Sequence, residues 1–319
     1  MFRSIFKRAK LFFTHNYFVD HRIDTRIVFY LKIQMYILIL LVYIQLIIYI
    51  ITACIAFLYL CLILFIRRFH NTNNTFIANI CLSIIISAAY FVVYFQFQGM
   101  AGYDSSLLCS LFYLAFNIAC ISIPYSFLAL TVHRFCIIIY PQNRLFKKKQ
   151  WTPICIISHW IFQFLISTAF FGEYDIYCNM KIFMGYYTFI TAVMMPLVIK
   201  SALDIRIFIH VRHSTHRIRI QAFTVSNTGS THNNQPKLSA RDISVLKHTI
   251  FTFLVFVIGW TPVLLMNLID IIIRNHLVQV VACMYVSACC TFIIIIYLFV
   301  CNRDVRQYLF KPIRDCFQH

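Results

Sequence analysis

Few residues in this chain have the type and spacing to do chemistry, and each group points to a different class of protein. In "HVRHSTH", His210, His213 and His216 recur at three-residue intervals, close enough to helical spacing to share one side. Membrane iron oxygenases hold their metal through several such histidine boxes; the other histidines here are scattered, so a di-iron site lacks ligands and no metal or cofactor is expected. Lys200, Asp204 and Arg206 form a charged group beside an apolar run. The rival class is a transporter or channel. It would add internal repeats and ionisable groups near the membrane midplane, which the sequence does not display. No polar cluster is equipped for general acid or base work, so an enzyme is not expected. What remains is "HRFCIIIYP", His133 to Pro141, where an Arg beside a His closes a long charge-free stretch.

Those residues must be positioned by helices that cross a membrane. Hydrophobic residues make up 61% of the 319, aromatic residues 17% and charged residues only 12%, which leaves too little polar surface to cover a soluble globule. Runs near the ~20 residues a spanning helix needs recur at Met35–Ile66, Phe76–Ala101, Leu107–Val132, Trp151–Phe171, Ile182–Ile199, Ile250–Ile273 and His276–Val300, free of Asp, Glu, Lys and Arg except for Asp270 near the end of the sixth. Blocks such as "LILLVYIQLIIYIITACIAFLYLCLILF" are apolar on every face, unlike the alternating strands of a membrane β-barrel. The expected fold is an all-α membrane protein, a seven-transmembrane helix bundle over residues 35–300. A basic extracellular segment, 1–34, precedes it, and a cytoplasmic tail with a short amphipathic helix, 301–319, follows. The third cytoplasmic loop is expected at about 206–245.

The net charge of +18 is sorted by side of the membrane rather than gathered on one folded face, which argues against a nucleic-acid partner. Nineteen Lys and Arg residues fall in the loops after segments one, three and five and in the tail, against Lys181 and Arg274 in the three opposite loops. The positive-inside tendency then puts the nineteen in the cytoplasm and the N-terminus outside, in a multi-pass membrane protein. Seven basic groups within the first 32 residues oppose that bias. They read either as an amphipathic surface helix with Phe2, Ile5, Phe6, Leu11 and Phe12 on its apolar side, or as a disordered basic arm. No cleavable signal pattern is visible at the start, so the first segment is expected to act as its own signal. Of the thirteen cysteines, most sit inside spans as small apolar residues. Cys109 and Cys178 fall on the oxidising side, where one bridge is the natural pairing and two unpaired thiols the alternative.

Arg134 lies 25 residues after Cys109, and Trp160 lies 26 residues after Arg134. "TNNTFIANICLS" (Thr72–Ser83) opens the second segment, Pro141 follows the third, Pro196 sits in "VMMPLVI" and "FVIGWTP" runs from Phe256 to Pro262. In these residues the chain resembles the rhodopsin-like G-protein-coupled receptors, from roughly Phe65 to Phe310. Gly259 replaces the cysteine of that family's Phe-x-x-Cys-Trp-x-Pro signature. His133 and Phe135 flank Arg134 where the family has Asp and Tyr, Ile84 takes the place of the sodium-site aspartate, and Ile293 and Ile294 replace the Asn-Pro before Tyr297. These departures imply a divergent orphan or chemosensory-type branch.

The resemblance implies a receptor that binds an extracellular ligand and activates a heterotrimeric G protein by an outward swing of helix six. Its activation switch would comprise His133, Arg134, Phe135, Asp242, Phe256, Trp260, Pro262 and Tyr297. Arginine at the centre of a membrane helix costs about 2.5–3.5 kcal/mol on insertion scales, so Arg134 wants a partner. Asp242, 20 residues before Pro262, is the expected one in the resting state; the alternative is that Arg134 snorkels to lipid headgroups. A histidine at 133 makes the local pair less acidic, which implies a weaker or pH-sensitive latch. The expected ligand pocket is lined by Phe116, Asn117, Cys120, Thr188, Ala192, Trp260, Met266 and Asn267. Phe116 stands where amine receptors carry aspartate and segment seven holds no lysine, so the ligand is expected to be a peptide or small chemosensory molecule rather than an amine or retinal. Glu173, Asp175 and Asp270 fall at the outer mouth, as a site for cationic ligands or as a solvated rim. The basic flanks of the third loop suit a G protein or anionic membrane lipid, and Cys316 is either a palmitoylation site or an unmodified thiol.

Overall fold

The computed structural model describes residues 25–97, 106–148, 150–170, 182–225, 240–273, 277–302 and 305–308. They form helices α1 (Thr25–Phe65), α2 (Thr72–Phe97), α3 (Ser106–Ile139) and α4 (Trp151–Ser167), then α5, which joins three stretches (Ile182–Phe189, Ile190–Met194 and Met195–Val225), then α6 (Ala240–Ile273) and α7 (Leu277–Cys301). α1 packs on α2, α2 on α3, α3 on α4, α5 on α6 and α6 on α7; α7 also packs on α1, α3 touches α2, α4, α5 and α6, and Tyr187 of α5 donates to the Ile166 carbonyl of α4 at 2.8 Å. The result is a closed bundle with α3 at its centre. Its outside is apolar: Leu58 is 63% exposed, Ile258 67% and Phe65 82%, as a lipid-facing surface requires when every backbone polar group is satisfied within a helix.

Among the described residues, six helical regions are long and apolar enough to cross a membrane: Tyr36–Phe65, Thr72–Tyr94, Leu108–Ile139, Trp151–Phe170, Lys247–Met266 and Gln279–Cys301. The expected fifth segment is helical too, but Ile190–Met194 is a π turn and divides it. Pro196 gives the physical reason: it has no N–H to offer the Ala192 carbonyl, and its ring crowds that carbonyl, which widening the turn relieves. The third helix runs on past the expected end at Val132 and carries His133 and Arg134 as helical residues. Nothing in "HRFCIII" breaks a helix, which stops at Tyr140, the residue before Pro141, where proline disfavours the α region.

Local caps set the basic end of the bundle. Asn71 accepts the Asn74 backbone N–H at 2.9 Å and so caps α2. Asn302, just beyond α7, donates from Nδ2 to Tyr59 Oη at 2.8 Å and to Asn74 Oδ1 at 2.9 Å, tying the end of α7 to α1 and α2. Residues 305–308 are helical, with Val305 buried and the Tyr308 ring 5.6 Å from Phe69. The rest of the expected amphipathic tail helix, and Cys316 with it, lies outside the described residues.

Candidate functional site

Two adjacent residues of α3 face different neighbours, as roughly 100° of rotation per residue requires. Arg134 reaches across to α6, where Nη1 donates to Thr249 Oγ1 at 2.7 Å. His133 turns to α2 and α4 instead: it is buried, its ring lies 4.7 Å from Phe76 and its Nε2 lies 3.4 Å from Thr152 Oγ1. Phe135 packs edge-on to Tyr140 at 6.1 Å. Asp242 stands two turns before Thr249 on α6, and its side chain lies outside the described residues.

Beside this contact lies an ion pair. Lys200 of α5 is fully buried, binds Asp204 Oδ2 at 2.5 Å, sits 5.0 Å over the Phe253 ring of α6 and lies within electrostatic reach of Arg134. Asp204 Oδ1 is buried with no hydrogen-bond partner among the described residues. Three cationic or anionic groups from α3 and α5 therefore converge on the inner part of α6. Next to Thr249, His248 Nδ1 hydrogen-bonds Tyr297 Oη of α7 at 2.6 Å and lies 3.4 Å from Cys301 Sγ. Tyr297 also packs on Phe251 at 4.6 Å, so the tyrosine chosen from the sequence meets α6 at the level of the Arg134 contact.

Higher in the bundle, Trp260 is buried and donates from Nε1 to Thr291 Oγ1 of α7 at 3.3 Å. Its ring stacks on Phe256 at 5.8 Å and meets Phe91 of α2 at 5.4 Å. Phe256 stacks on Phe253 at 6.4 Å, and Phe253 meets Phe127 of α3 edge-on at 6.4 Å. An aromatic line thus runs from Trp260 down α6 to α3. Pro262 interrupts the backbone hydrogen bonding of α6 two residues above Trp260. Gly259 explains the missing cysteine of the signature: a Cβ there would lie 2.5 Å from Cys290 Cβ and 2.8 Å from its Sγ, so α7 occupies the space a side chain would need.

Trp160 donates from Nε1 to Asn79 Oδ1 at 2.9 Å, and Asn79 Nδ2 donates to Ser126 Oγ at 3.1 Å. Ser126 also bonds Ser83 at 2.6 Å and approaches His159 Nε2 at 3.4 Å, locking α2, α3 and α4 together. Ile84, at the sodium-site position, is fully buried in the apolar core.

The expected pocket residues sit toward the other end. Phe116 is half-buried, 5.9 Å from the Tyr90 ring. Asn117 is fully buried; its Nδ2 donates to Ser167 Oγ at 2.9 Å and its Oδ1 has no hydrogen-bond partner among the described residues. Cys120 and Ala192 are buried, and Thr188 bonds its own helix at the Met184 carbonyl, 2.9 Å away. The Asn267 and Asp270 side chains, Glu173, Asp175 and Cys178 lie outside the described residues. Cys109, at the head of α3, is buried and disulfide-bonded.

Sequence reasoning missed Asn79, Ser126, His159, Thr249, Thr291 and the Lys200–Asp204 pair as a buried unit. One signal was available. Thr152, Cys155, His159, Gln163 and Ser167 recur every three or four residues on otherwise apolar α4, and all are buried, marking its inward face. Among the described residues no group of three or more His, Cys, Asp and Glu gathers, and the side chains of His213 and His216 lie outside them.

The described residues thus form a helical bundle in which a third-helix arginine reaches the sixth helix, with a tryptophan and a proline above it. The chain matches the family described as 7 transmembrane receptor (rhodopsin family) over residues 55–294, three quarters of its length. It belongs to that family. No individual curated protein matches it.

Proposed function

We propose that this receptor binds an extracellular ligand in the outer half of the bundle and activates a heterotrimeric G protein at its basic, cytoplasmic end by an outward swing of α6. The observation that carries the reading is the Arg134–Thr249 hydrogen bond at 2.7 Å, which joins α3 to the part of α6 that would move. Asp242, two turns away on the same helix, completes the resting latch. Pro262 supplies the bend, and the Trp260–Phe256–Phe253 line couples it to ligand contacts above. The helical stretch from Ile182 to Ile199 is the remaining span. The N-terminus is then extracellular, the tail cytoplasmic, and Cys109 pairs with Cys178 on the oxidising side. The ligand is a peptide or small chemosensory molecule, since Phe116 offers no charge to an amine.

Ligand-free nucleotide exchange at matched surface expression tests the latch. Asp242→Asn should raise it; an unchanged or lower signal would overturn the Arg134–Asp242 contact. Substrate flux or current without nucleotide exchange would overturn the receptor reading altogether and favour a transporter or channel.

A further inference from the structure

We propose that His248 and Cys301 form a binding site for a thiophilic transition-metal ion, Zn2+ foremost, that clamps α6 to α7 at the basic end of the bundle. The two donors come from different helices, and Cys301 is a free thiol at the last residue of α7. Zinc holds imidazole nitrogen at about 2.0–2.1 Å and thiolate sulfur at about 2.3 Å, which at a tetrahedral angle sets the two donors about 3.5 Å apart. Cys301 Sγ stands 3.4 Å from His248 Nδ1, so the ion fits between them with almost no movement of either helix.

Imidazole and thiolate together select zinc and copper(I) over magnesium and calcium, which prefer oxygen. Both residues are partly exposed, next to the ends of their spans, so an ion reaches them from the aqueous side. The Tyr297 hydroxyl, 2.6 Å from the same Nδ1, holds the imidazole toward α7 in the metal-free protein and must yield that nitrogen when an ion enters. Two waters complete a tetrahedral shell, one more than in open zinc sites that have three protein ligands. Binding releases the thiol proton.

Because one donor rides on each helix, an ion bound to both resists any motion that parts them. The consequence for signalling rests on the proposed swing of α6; the site itself does not.

The test uses the full-length purified protein in lipid nanodiscs under thiol-preserving conditions, titrated with Co2+ and Zn2+ alone. Cobalt reports sulfur ligation through a thiolate charge-transfer band. The part of that band lost in Cys301→Ser and in His248→Ala belongs to this site, and each loss should weaken metal binding on the order of 100-fold, since removing even an outer-shell partner costs about 10–100-fold. Tyr297→Phe, which removes the competing phenol, should bind at least as tightly and shows that altering this helix pair does not itself abolish binding. A cobalt spectrum and zinc affinity unchanged in both His248→Ala and Cys301→Ser would overturn the site. In membranes, zinc should lower ligand-free nucleotide exchange in the unaltered chain and not in Cys301→Ser. Binding without that effect upholds the site and counts against the α6 swing, whereas absent binding sinks the site and leaves the swing untouched.

Discussion

Replacing Gly259 by alanine, one methyl group, should part α6 from α7. The new Cβ would lie 2.5 Å from Cys290 Cβ and 2.8 Å from its Sγ, whereas unstrained carbon contacts lie at about 3.5–4.0 Å. Cys290 Cβ is fixed to the backbone and cannot rotate away, so the helices must shift by about 1 Å locally to restore contact distance. Overpacking of this kind costs about 1–3 kcal/mol, a fall in melting temperature of roughly 2–10 °C for a chain of this size. The structure also specifies the rescue. Cys290→Gly removes both offending atoms, and the next neighbour is Ser287 Cα at 3.6 Å, an ordinary contact. Alone, Cys290→Gly costs only about 0.3 kcal/mol in helix propensity, because Cys ranks just above Gly. The double variant should therefore be more stable than the sum of the single effects by about 1–3 kcal/mol, the cost of the removed clash. Intrinsic tryptophan fluorescence during thermal unfolding reads this without thiol-reactive dyes, which the cysteine change would confound. Additivity within about 0.5 kcal/mol, or a Gly259→Ala protein as stable as the parent, would refute a close α6–α7 contact at this level.

Thr249→Ala removes a hydrogen bond from Arg134 at 2.7 Å; bonds to charged groups are worth about 1.5–3 kcal/mol, so ligand-free nucleotide exchange should rise severalfold or more at matched expression. Lys200→Met leaves Asp204, its side chain 12% exposed, without its cation and should cost up to about 3–5 kcal/mol, while Lys200→Met with Asp204→Leu should recover most of that in the same melting assay. Trp160→Phe keeps the ring and removes the donor to Asn79 Oδ1; its expected cost is about 1–3 kcal/mol, the penalty for an unpaired buried acceptor, read as a lowered melting temperature with unchanged helix content by circular dichroism.

The spacing of Cys109, Arg134 and Trp160 carried much of the architecture because helical rise converts sequence intervals into depth in a membrane. Arg134 does reach α6 and Trp160 does meet α2. Pro196 was visible as a residue, yet the π turn it provokes was not, because period alone does not distinguish a widened turn from an α-helical one. His133 read as part of the arginine switch because it is next to Arg134 in sequence. Its burial between Phe76 and Thr152 follows from which faces of α3 meet which helices. Lys200 and Asp204 looked like a charged boundary of the fifth segment, and only the approach of α6, with Phe253 beneath the ammonium, made them a buried pair.

By itself the sequence determined that the chain is a bundle of apolar helices, roughly where each helix lies, and which residues stand at comparable depths, since charge-free length and residue spacing are one-dimensional properties. Only the tertiary structure decided which side chains meet. That Thr249 receives Arg134, that Cys290 fills the space beside Gly259, and that His248 faces Tyr297 and Cys301 all depend on the rotation and closeness of neighbouring helices. Those are set by the combined packing of many side chains at once, which no single stretch of sequence contains.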